Sequence, residues 1–145
     1  MTELRRLVLD TNVLVSAAFR NGSLPHRTLL KARMEARLLA SNETLAEFRE
    51  VLLRKKFDRY FNRDLREGML GEYARLCTLV TTPTSVRACR DPRDEFLDVA
   101  VHGRADAIVA GDADLLDLNP FRGITILTPR AYMEREEVCP PTRYP

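Results

Sequence analysis

Five short apolar runs recur along the chain, at residues 7–9, 38–40, 79–80, 107–110 and 124–127. They show no alternation of apolar and polar positions, and each is too short for a helix of ordinary length. Continuous apolar runs of this kind are typical of strands that are buried on both faces of a parallel sheet. The pattern therefore predicts five short, buried strands.

Longer segments between these runs have one apolar face and predict helices. They cover residues 12–19, 25–34, 63–76, 91–102, 113–117 and 129–136, and another begins at Ser41 or Asn42 and reaches about residue 55. Pro25, Pro92 and Pro129 suit the first turn of a helix, and Gly103 suits the end of one. Strands that alternate with helices form a parallel sheet covered on both faces. The predicted fold is α/β, with one domain over residues 1–137 and an irregular, proline-containing tail at 138–145.

Composition narrows the class of protein. The chain has 145 residues, 45% of them apolar and 30% charged, which is typical of one globular domain. No apolar run approaches the ~18 residues of a membrane span, and no apolar secretory segment opens the sequence, so no membrane contact is expected. Three cysteines, Cys77, Cys89 and Cys139, form no CxxC pair, and two histidines are too few for a histidine-based site. These features predict a protein of the reducing cytoplasm.

Charge is distributed unevenly although the net charge is only +2. Residues 20–75 hold thirteen Lys or Arg against eight acids, whereas residues 91–117 hold two Arg against eight acids. A basic half beside an acidic segment suits a polyanion together with bound cations. Two differently charged, solvated faces would give the same distribution, and charge alone does not separate these interpretations.

Acidic residues follow two of the predicted strands. Asp10 comes directly after the first strand, and Asp112 follows the fourth strand after one residue. The carboxyl ends of parallel strands share one edge of the sheet, where ligands bind in open α/β folds. An Asp at a strand end is also a common helix cap, so each residue has a purely structural interpretation as well.

A third group of acids lies on one predicted helix. Asp91, Asp94 and Asp98 have the spacing i, i+3, i+7, which places them on one helix face where like charges repel. A bound Mg²⁺ or Mn²⁺ would remove that repulsion, whereas a helix cap followed by a solvated face is the alternative. Glu47, in contrast, falls near the polar side of its helix, and its pattern alone predicts a solvent-exposed residue.

Four segments together resemble the PIN domain (PilT N-terminus-like) family of metal-dependent nucleases. They are VLDTNVL at 8–14, SNETLAE at 41–47, DPRDEFLDVA at 91–100 and ADAIVAGDADLL at 105–116. Each segment is weak evidence by itself, but the four occur in the family's order and the likeness spans residues 7–133. The chain is most similar to the VapC-like branch, the toxins of bacterial and archaeal toxin–antitoxin pairs.

The resemblance implies a Rossmann-like three-layer α/β/α sandwich with a central, mostly parallel sheet of about five strands. It implies that Asp10, Glu47, Asp94 and Asp112 are the catalytic acids and hold one or two Mg²⁺ or Mn²⁺, with Asp98 and Asp114 as further, water-mediated metal contacts. The implied reaction is hydrolysis of single-stranded RNA by a metal-activated water. The implied partners are RNA, a cognate antitoxin protein and a second copy of the chain.

Two details qualify this transfer. Many family members carry Thr or Ser directly before the fourth acid, where this chain has Gly111. A hydroxyl contact near the metal is therefore expected to be missing. Thr11 and Asn12 are expected to shape the loop after the first strand.

The densest basic cluster lies between two predicted helices. Its cationic residues, predicted to bind the RNA backbone, are Arg54, Lys55, Lys56 and Arg59. Phe57 and Tyr60 lie among them and would stack on unpaired bases. The alternative interpretation is a solvated helix end with both aromatic rings tucked inward.

Other α/β classes also gather acids at strand ends. A signalling receiver domain needs a lysine after a late strand, but Lys31, Lys55 and Lys56 are all early. A haloacid-dehalogenase-type phosphatase needs a second Asp two residues after the first, where Asn12 stands. Two alternatives stay open: a PIN fold that binds RNA or protein without cleavage, and a PIN nuclease outside any toxin–antitoxin pair.

Overall fold

The computed structural model describes residues 4–82 and 94–135. The strands are β1 (Arg6–Leu9), β2 (Arg37–Ala40), β3 (Cys77–Leu79), β4 (Ala107–Val109) and β5 (Thr125–Leu127). The helices are α1 (Thr11–Phe19), α2 (Leu24–Glu35), α3 (Asn42–Leu52), α4 (Arg63–Leu76), α5 (Asp94–His102), α6 (Ala113–Leu116) and α7 (Pro129–Glu134). The predicted helix start at Asp91, the residues Cys89 and Cys139 and the predicted tail at 138–145 lie outside the described residues. Across the described ranges, no helix is long and apolar enough to cross a membrane.

Within these residues the five strands form one sheet, in the order β3-β2-β1-β4-β5, and every neighbouring pair is parallel. The predicted α/β fold with a parallel sheet of about five strands is therefore confirmed. The third strand begins earlier than the sequence predicts, at Cys77, because the preceding helix ends directly at Leu76. Val80, which the pattern assigns to this strand, still donates its N–H to the Ala40 carbonyl at 2.7 Å.

Burial on both faces explains why the strands are continuously apolar. In β1, the side chains of Leu7 and Leu9 belong to one core cluster, together with residues of α1 to α4 and α7. Val8 points to the opposite face and belongs to a second cluster, with residues of α5 and β5. Because successive side chains of a strand alternate between faces, a sheet covered on both sides needs an apolar residue at every position.

The chain adds strands first on one side of β1 and then on the other, so the direction of strand addition changes between β1 and β4. From β1 the chain moves to β2 on one side, and it later adds β4 on the other side of β1. Leu9 pairs with Val109, so the two strands end at the same level. Such a switch point leaves a crevice outside the carboxyl ends of the two strands, which is where α/β folds bind ligands.

The end of α3 and the residue that terminates α5 differ from the sequence prediction. The α3 helix ends at Leu52 rather than near residue 55, and a short 3₁₀ turn, Lys55–Phe57, follows it. The α5 helix ends at His102 as predicted, but the residue that takes a left-handed backbone is Arg104, with φ of 56°, rather than Gly103. Gly103 is required for packing, because a Cβ at this position would lie 2.8 Å from the Val99 carbonyl oxygen.

Candidate functional site

A cleft of about 340 Å³ opens at the carboxyl ends of β1 and β4. Its lining residues are Asp10, Thr11, Asn12, Glu47, Glu50, Val51, Arg54, Phe96, Asp112 and Leu115. They come from the strand ends, from the first turn of α1, and from α3, α5 and α6. All six predicted metal-binding acids lie within the described residues, and three of them, Asp10, Glu47 and Asp112, line this cleft.

Asp10 lies at the bottom of the cleft and is only 3% exposed. One carboxylate oxygen caps α1 by accepting the N–H of Val13 at 2.9 Å, and the other accepts the N–H of Gly111 at 3.2 Å. The cap interpretation of Asp10 is therefore correct. It does not exclude a site, because each carboxylate oxygen has a second lone pair that can bind a ligand.

The surroundings of Asp10 disfavour its charged form. Burial raises the pKa of the Asp10 carboxyl to about 6, against the opposing effect of the two N–H donors, and the negative charges of Asp112 and Glu47 add to the rise. A carboxylate that is held away from water beside two other acids gains most from a cation placed between them.

Glu47 contradicts the expectation of a solvent-exposed residue. Its side chain is half-buried, lines the cleft, and accepts a hydrogen bond from the Thr11 hydroxyl at 2.6 Å between Oγ1 and Oε2. The expectation failed because α1 packs across this part of α3 and covers what is otherwise a polar helix face. Thr11 and Asn12, expected to shape the loop after the first strand, both belong to the first turn of α1, which begins one residue before the predicted helix at 12–19.

Asp112 faces the same cleft from the end of β4. Its Oδ1 accepts the N–H of Asp114 at 2.8 Å and so caps the short α6 helix, while Asp114 itself is exposed and does not line the cleft. The structure confirms the cap interpretation here too. No heavy atom lies within 4 Å of a Cβ built on Gly111, so a side chain at this position would have free space.

Asp94 and Asp98 are both buried, at 8% and 9% exposure, on the α5 helix. The helix packs against β1 and α3, which brings it to the cleft edge, but the two side chains are not among the cleft lining. The interpretation of these acids as a solvated helix face is wrong, because neither is open to solvent.

Glu95 is a residue that the sequence reasoning missed. Among the described residues, its Oε2 is the buried side-chain oxygen or nitrogen that has no hydrogen-bond partner. Burial raises the pKa of the Glu95 carboxyl to about 7, and the charges of Glu47, Glu43 and Asp98 raise it further in that order. The i, i+3 spacing of Glu95 and Asp98 is the signal that would have found this residue, since it places two acids on one side of α5.

The side chains at the cleft have the donor atoms that a hard divalent cation prefers, but they are not arranged as a complete metal site. Within residues 4–82 and 94–135, no three Asp, Glu, His or Cys side chains converge into a ready-made metal site. The donors at the cleft are nonetheless carboxylate oxygens, which Mg²⁺ and Mn²⁺ prefer. The buried Oε2 of Glu95, which has no hydrogen-bond partner among the described residues and whose carboxylate is repelled by the charge of Glu47, would also gain from a cation, because a buried charged oxygen needs a compensating charge or proton.

The basic cluster after α3 divides into two parts. Arg54 lines the cleft, whereas the side chains of Lys55, Lys56 and Arg59 are exposed outside it. Phe57 stacks on Phe19 with a centroid distance of 4.4 Å, as the inward interpretation predicts. Tyr60 differs from it, with 60% of its surface exposed.

Sequence comparison identifies relatives over most of the chain. Residues 6–114 match the family model of the PIN domain. The chain is also 28% identical over 144 residues to Uncharacterized protein MJ1680 of Methanocaldococcus jannaschii, an alignment that covers 91% of this chain and 92% of the relative.

Two solved structures have a similar fold. PAE2754 from Pyrobaculum aerophilum aligns with a TM-score of 0.58 and 15% identity, over 90% of this chain and 88% of that chain. VapBC2 from Rickettsia felis, solved bound to a DNA fragment from its promoter, aligns with a TM-score of 0.56 and 11% identity, over 83% of this chain and 96% of that chain. At these identities the likeness concerns the fold. The match of the family model to residues 6–114, which is most of the chain, shows that this protein belongs to the PIN domain family.

Proposed function

We propose that this protein is a Mg²⁺- or Mn²⁺-dependent endoribonuclease that hydrolyses phosphodiester bonds of single-stranded RNA. The observation that carries the proposal is the position of Asp10, buried between Glu47 and Asp112 at the switch point of a PIN fold. Asp10 and Asp112 each cap a helix, but their placement near Glu47 costs free energy because like charges repel each other, and a bound cation would remove that cost.

The proposed metal-binding residues are Asp10, Glu47, Asp94 and Asp112. Asp98 and Asp114 are proposed to contact the same metal through water. When bound, Mg²⁺ or Mn²⁺ supplies Lewis-acid chemistry: it lowers the pKa of a water molecule and neutralises charge on the phosphate. A reaction of this type needs no histidine or covalent nucleophile from the protein.

The hydrogen bonds around the cleft fix the orientation of two of these acids. Thr11, the residue after Asp10, donates to Glu47 and holds its carboxylate at the cleft. The N–H of Gly111 donates to Asp10 and ties the end of β1 to the end of β4. Such contacts hold the acids in position before any ligand arrives, which lowers the cost of organising the site.

The basic cluster supplies the RNA-binding residues of the proposal, Arg54, Lys55, Lys56 and Arg59. Arg54 contacts the RNA at the cleft, and the other three contact the backbone beyond it. Exposed cations that follow one another along a loop suit a single strand, whose phosphates are accessible along its length.

Cleavage of a labelled RNA of mixed sequence tests this function directly. We expect cutting with Mg²⁺ or Mn²⁺, none with EDTA, and none by the Asp10→Asn variant, while Asp106→Asn, at the opposite edge of the sheet, cuts normally. Absence of cutting by a folded protein that binds the metal would point to one structured RNA as the substrate. Absence of both cutting and metal binding would favour a PIN-fold binding module.

The finer proposal is that this nuclease is the toxin of a type II toxin–antitoxin pair, cytoplasmic and homodimeric. It is supported by the fold likeness to VapBC2, which was solved with promoter DNA. Expression should arrest growth, the Asp10→Asn variant should not, and co-expression of a small protein encoded beside it should restore growth. Active cleavage without growth arrest would favour a PIN nuclease outside any such pair.

A further inference from the structure

Two arginine–glutamate pairs each include one residue of α3, and one of the two pairs faces the cleft. Arg54 binds Glu50 through two hydrogen bonds, Nε to Oε2 at 3.1 Å and Nη2 to Oε1 at 2.9 Å, and both residues line the cleft beside Asp10. Arg49 binds Glu67 with a second bidentate pair, and these two residues line a separate depression between α3 and α4. The same chemistry therefore occurs once in the cleft and once outside it.

Among residues 4–82 and 94–135, Arg54 is the one cationic residue in the lining of the cleft. The other charged lining residues in these ranges are acids, Asp10, Glu47, Glu50 and Asp112. Within this described lining, a polyanion meets one attractive side chain, and that side chain already holds an anion of the protein itself. The guanidinium fork fits a carboxylate and a phosphate equally well, because both offer two oxygens in one plane.

The backbone at Arg54 is held by a buried side chain, whereas the Arg54 side chain is held by an exposed ion pair. Arg66 is 1% exposed, and its Nη1 donates to the carbonyl oxygens of Arg54 at 3.2 Å and Leu52 at 3.1 Å. The Arg54 and Glu50 side chains remain 47% and 63% exposed. Exposed ion pairs contribute little net stability, so an incoming anion can replace Glu50 without disturbing the fold.

We propose that Arg54 binds a backbone phosphate of the RNA at the cleft, and that Glu50 is the resident anion that this phosphate displaces. The inference rests on the proposed function and deepens it, since it separates Arg54 from the three other cations of the basic cluster. Glu50 acts through Arg54 and is therefore a positioning residue. It keeps the guanidinium folded along α3, at the cleft wall, until RNA arrives.

Equilibrium binding of a fluorescent single-stranded RNA, measured by anisotropy in EDTA so that no cleavage occurs, tests the proposal. We expect Glu50→Gln to tighten binding by about threefold to tenfold, because a competing anion is lost. Arg54→Ala should weaken binding by about tenfold or more, and Arg54→Lys, which keeps the charge without the fork, should fall between it and the unmodified protein. Glu67→Gln, the matched control from the second pair, should change affinity by less than about twofold.

The double variant Glu50→Gln/Arg54→Ala distinguishes displacement from a general effect of charge. We expect it to bind within about twofold of Arg54→Ala alone, because without Arg54 the loss of Glu50 removes only the screened repulsion between an exposed carboxylate and the RNA. The proposal is overturned by an unchanged or weakened affinity of Glu50→Gln, or by equal tightening in the absence of Arg54 or in Glu67→Gln. No RNA binding by the unmodified protein would overturn the proposed function itself and this inference with it.

Discussion

Aspartates stand at both edges of the sheet, and the two edges use them in opposite ways. At the amino edge, one oxygen of Asp106 accepts the N–H groups of Arg5 and Arg6 at 2.8 and 2.9 Å. At the carboxyl edge, Asp10 also accepts two N–H groups, but it is buried beside Glu47 and Asp112, and its pKa is raised to about 6. The first carboxylate fastens the start of β1, whereas the second is held where its charge is disfavoured.

The contrast supports the proposal that Asp10 serves the site, whereas the contacts of Asp106 are explained by folding alone. A carboxylate paired with N–H donors stabilises a fold by itself, but one that faces other carboxylates stabilises it only together with a cation or a proton. Carboxylates that face one another are concentrated at functional sites, because a sequence optimised for stability alone would not contain such repelling groups.

Replacement of one aspartate at each edge is the strongest test of this comparison. We expect Asp10→Asn to lower RNA cleavage by at least about 100-fold, the loss typical of removing one electrostatic element of a site, while the protein stays folded. Asp106→Asn should leave cleavage unchanged and lower the free energy of unfolding by about 1–2 kcal/mol, because a charged acceptor becomes neutral. Cleavage rates and urea unfolding measure both effects. Equal activity of the two variants would contradict the assignment of the edges.

Glu95, whose Oε2 has no hydrogen-bond partner in the described part of the chain, should make the stability of the protein depend on pH. Its pKa is raised to about 7 in the folded protein, so the unfolded chain loses this proton first as the pH rises. In the metal-free protein, Glu95 should therefore leave the free energy of unfolding unchanged below about pH 4.5. The free energy of unfolding should fall between about pH 4.5 and pH 7, and the full loss should be present above that range.

Replacement of Glu95 isolates this contribution. Glu95→Gln should raise the free energy of unfolding at pH 8 by about 1 kcal/mol, less than the ~1.4 kcal/mol per pKa unit of a fully buried group, because solvent screens this half-buried side chain, and should change little at pH 4. The exposed Glu72→Gln is the matched control. Urea unfolding at both pH values in EDTA measures the difference, and a gain of the same size at pH 4 would contradict an electrostatic origin.

Gly103 is a packing constraint outside the cleft. A Cβ there would lie 2.8 Å from the Val99 carbonyl oxygen and 2.9 Å from the Val80 Cγ2, so Gly103→Ala should lower the free energy of unfolding by about 1–3 kcal/mol. Arg104→Gly should raise it by up to about 1 kcal/mol, because Arg104 has a φ of 56°. Thermal and urea unfolding test both variants. Opposite signs are the expected result, and a loss of stability in both would contradict the assignment of the left-handed position to Arg104.

Gly111 should give the smallest effect, although it lies at the carboxyl edge. Nothing lies within 4 Å of a Cβ at this position, and the backbone does not require a glycine there. We expect Gly111→Ser to change the free energy of unfolding by less than about 0.5 kcal/mol and to leave cleavage within a few-fold. A large loss of activity would mean that a hydroxyl group at this position disturbs the hydrogen bond from the Gly111 N–H to Asp10.

The sequence predicts those features that depend on local pattern and topology. The apolar runs predict the sheet because both of its faces are covered, and Asp10 and Asp112 are found because each follows the end of a run. Glu47 escapes the pattern, because α1 of the tertiary structure covers its helix face, and only the family resemblance points to it. The left-handed backbone of Arg104 is missed for a similar reason. The close contacts around Gly103 involve β2 and the residue after β3, and they form only in the tertiary structure.

Binding of Mn²⁺ by isothermal calorimetry is the measurement that tests the central claim most directly, that the carboxyl edge holds a divalent cation. It should be made on the unmodified protein, Asp10→Asn and Asp106→Asn, all free of RNA. We predict saturable binding by the unmodified protein and Asp106→Asn, and binding at least about tenfold weaker by Asp10→Asn, the scale typical of a perturbed metal site. Equal binding by all three proteins, or none by the unmodified protein, would contradict the account.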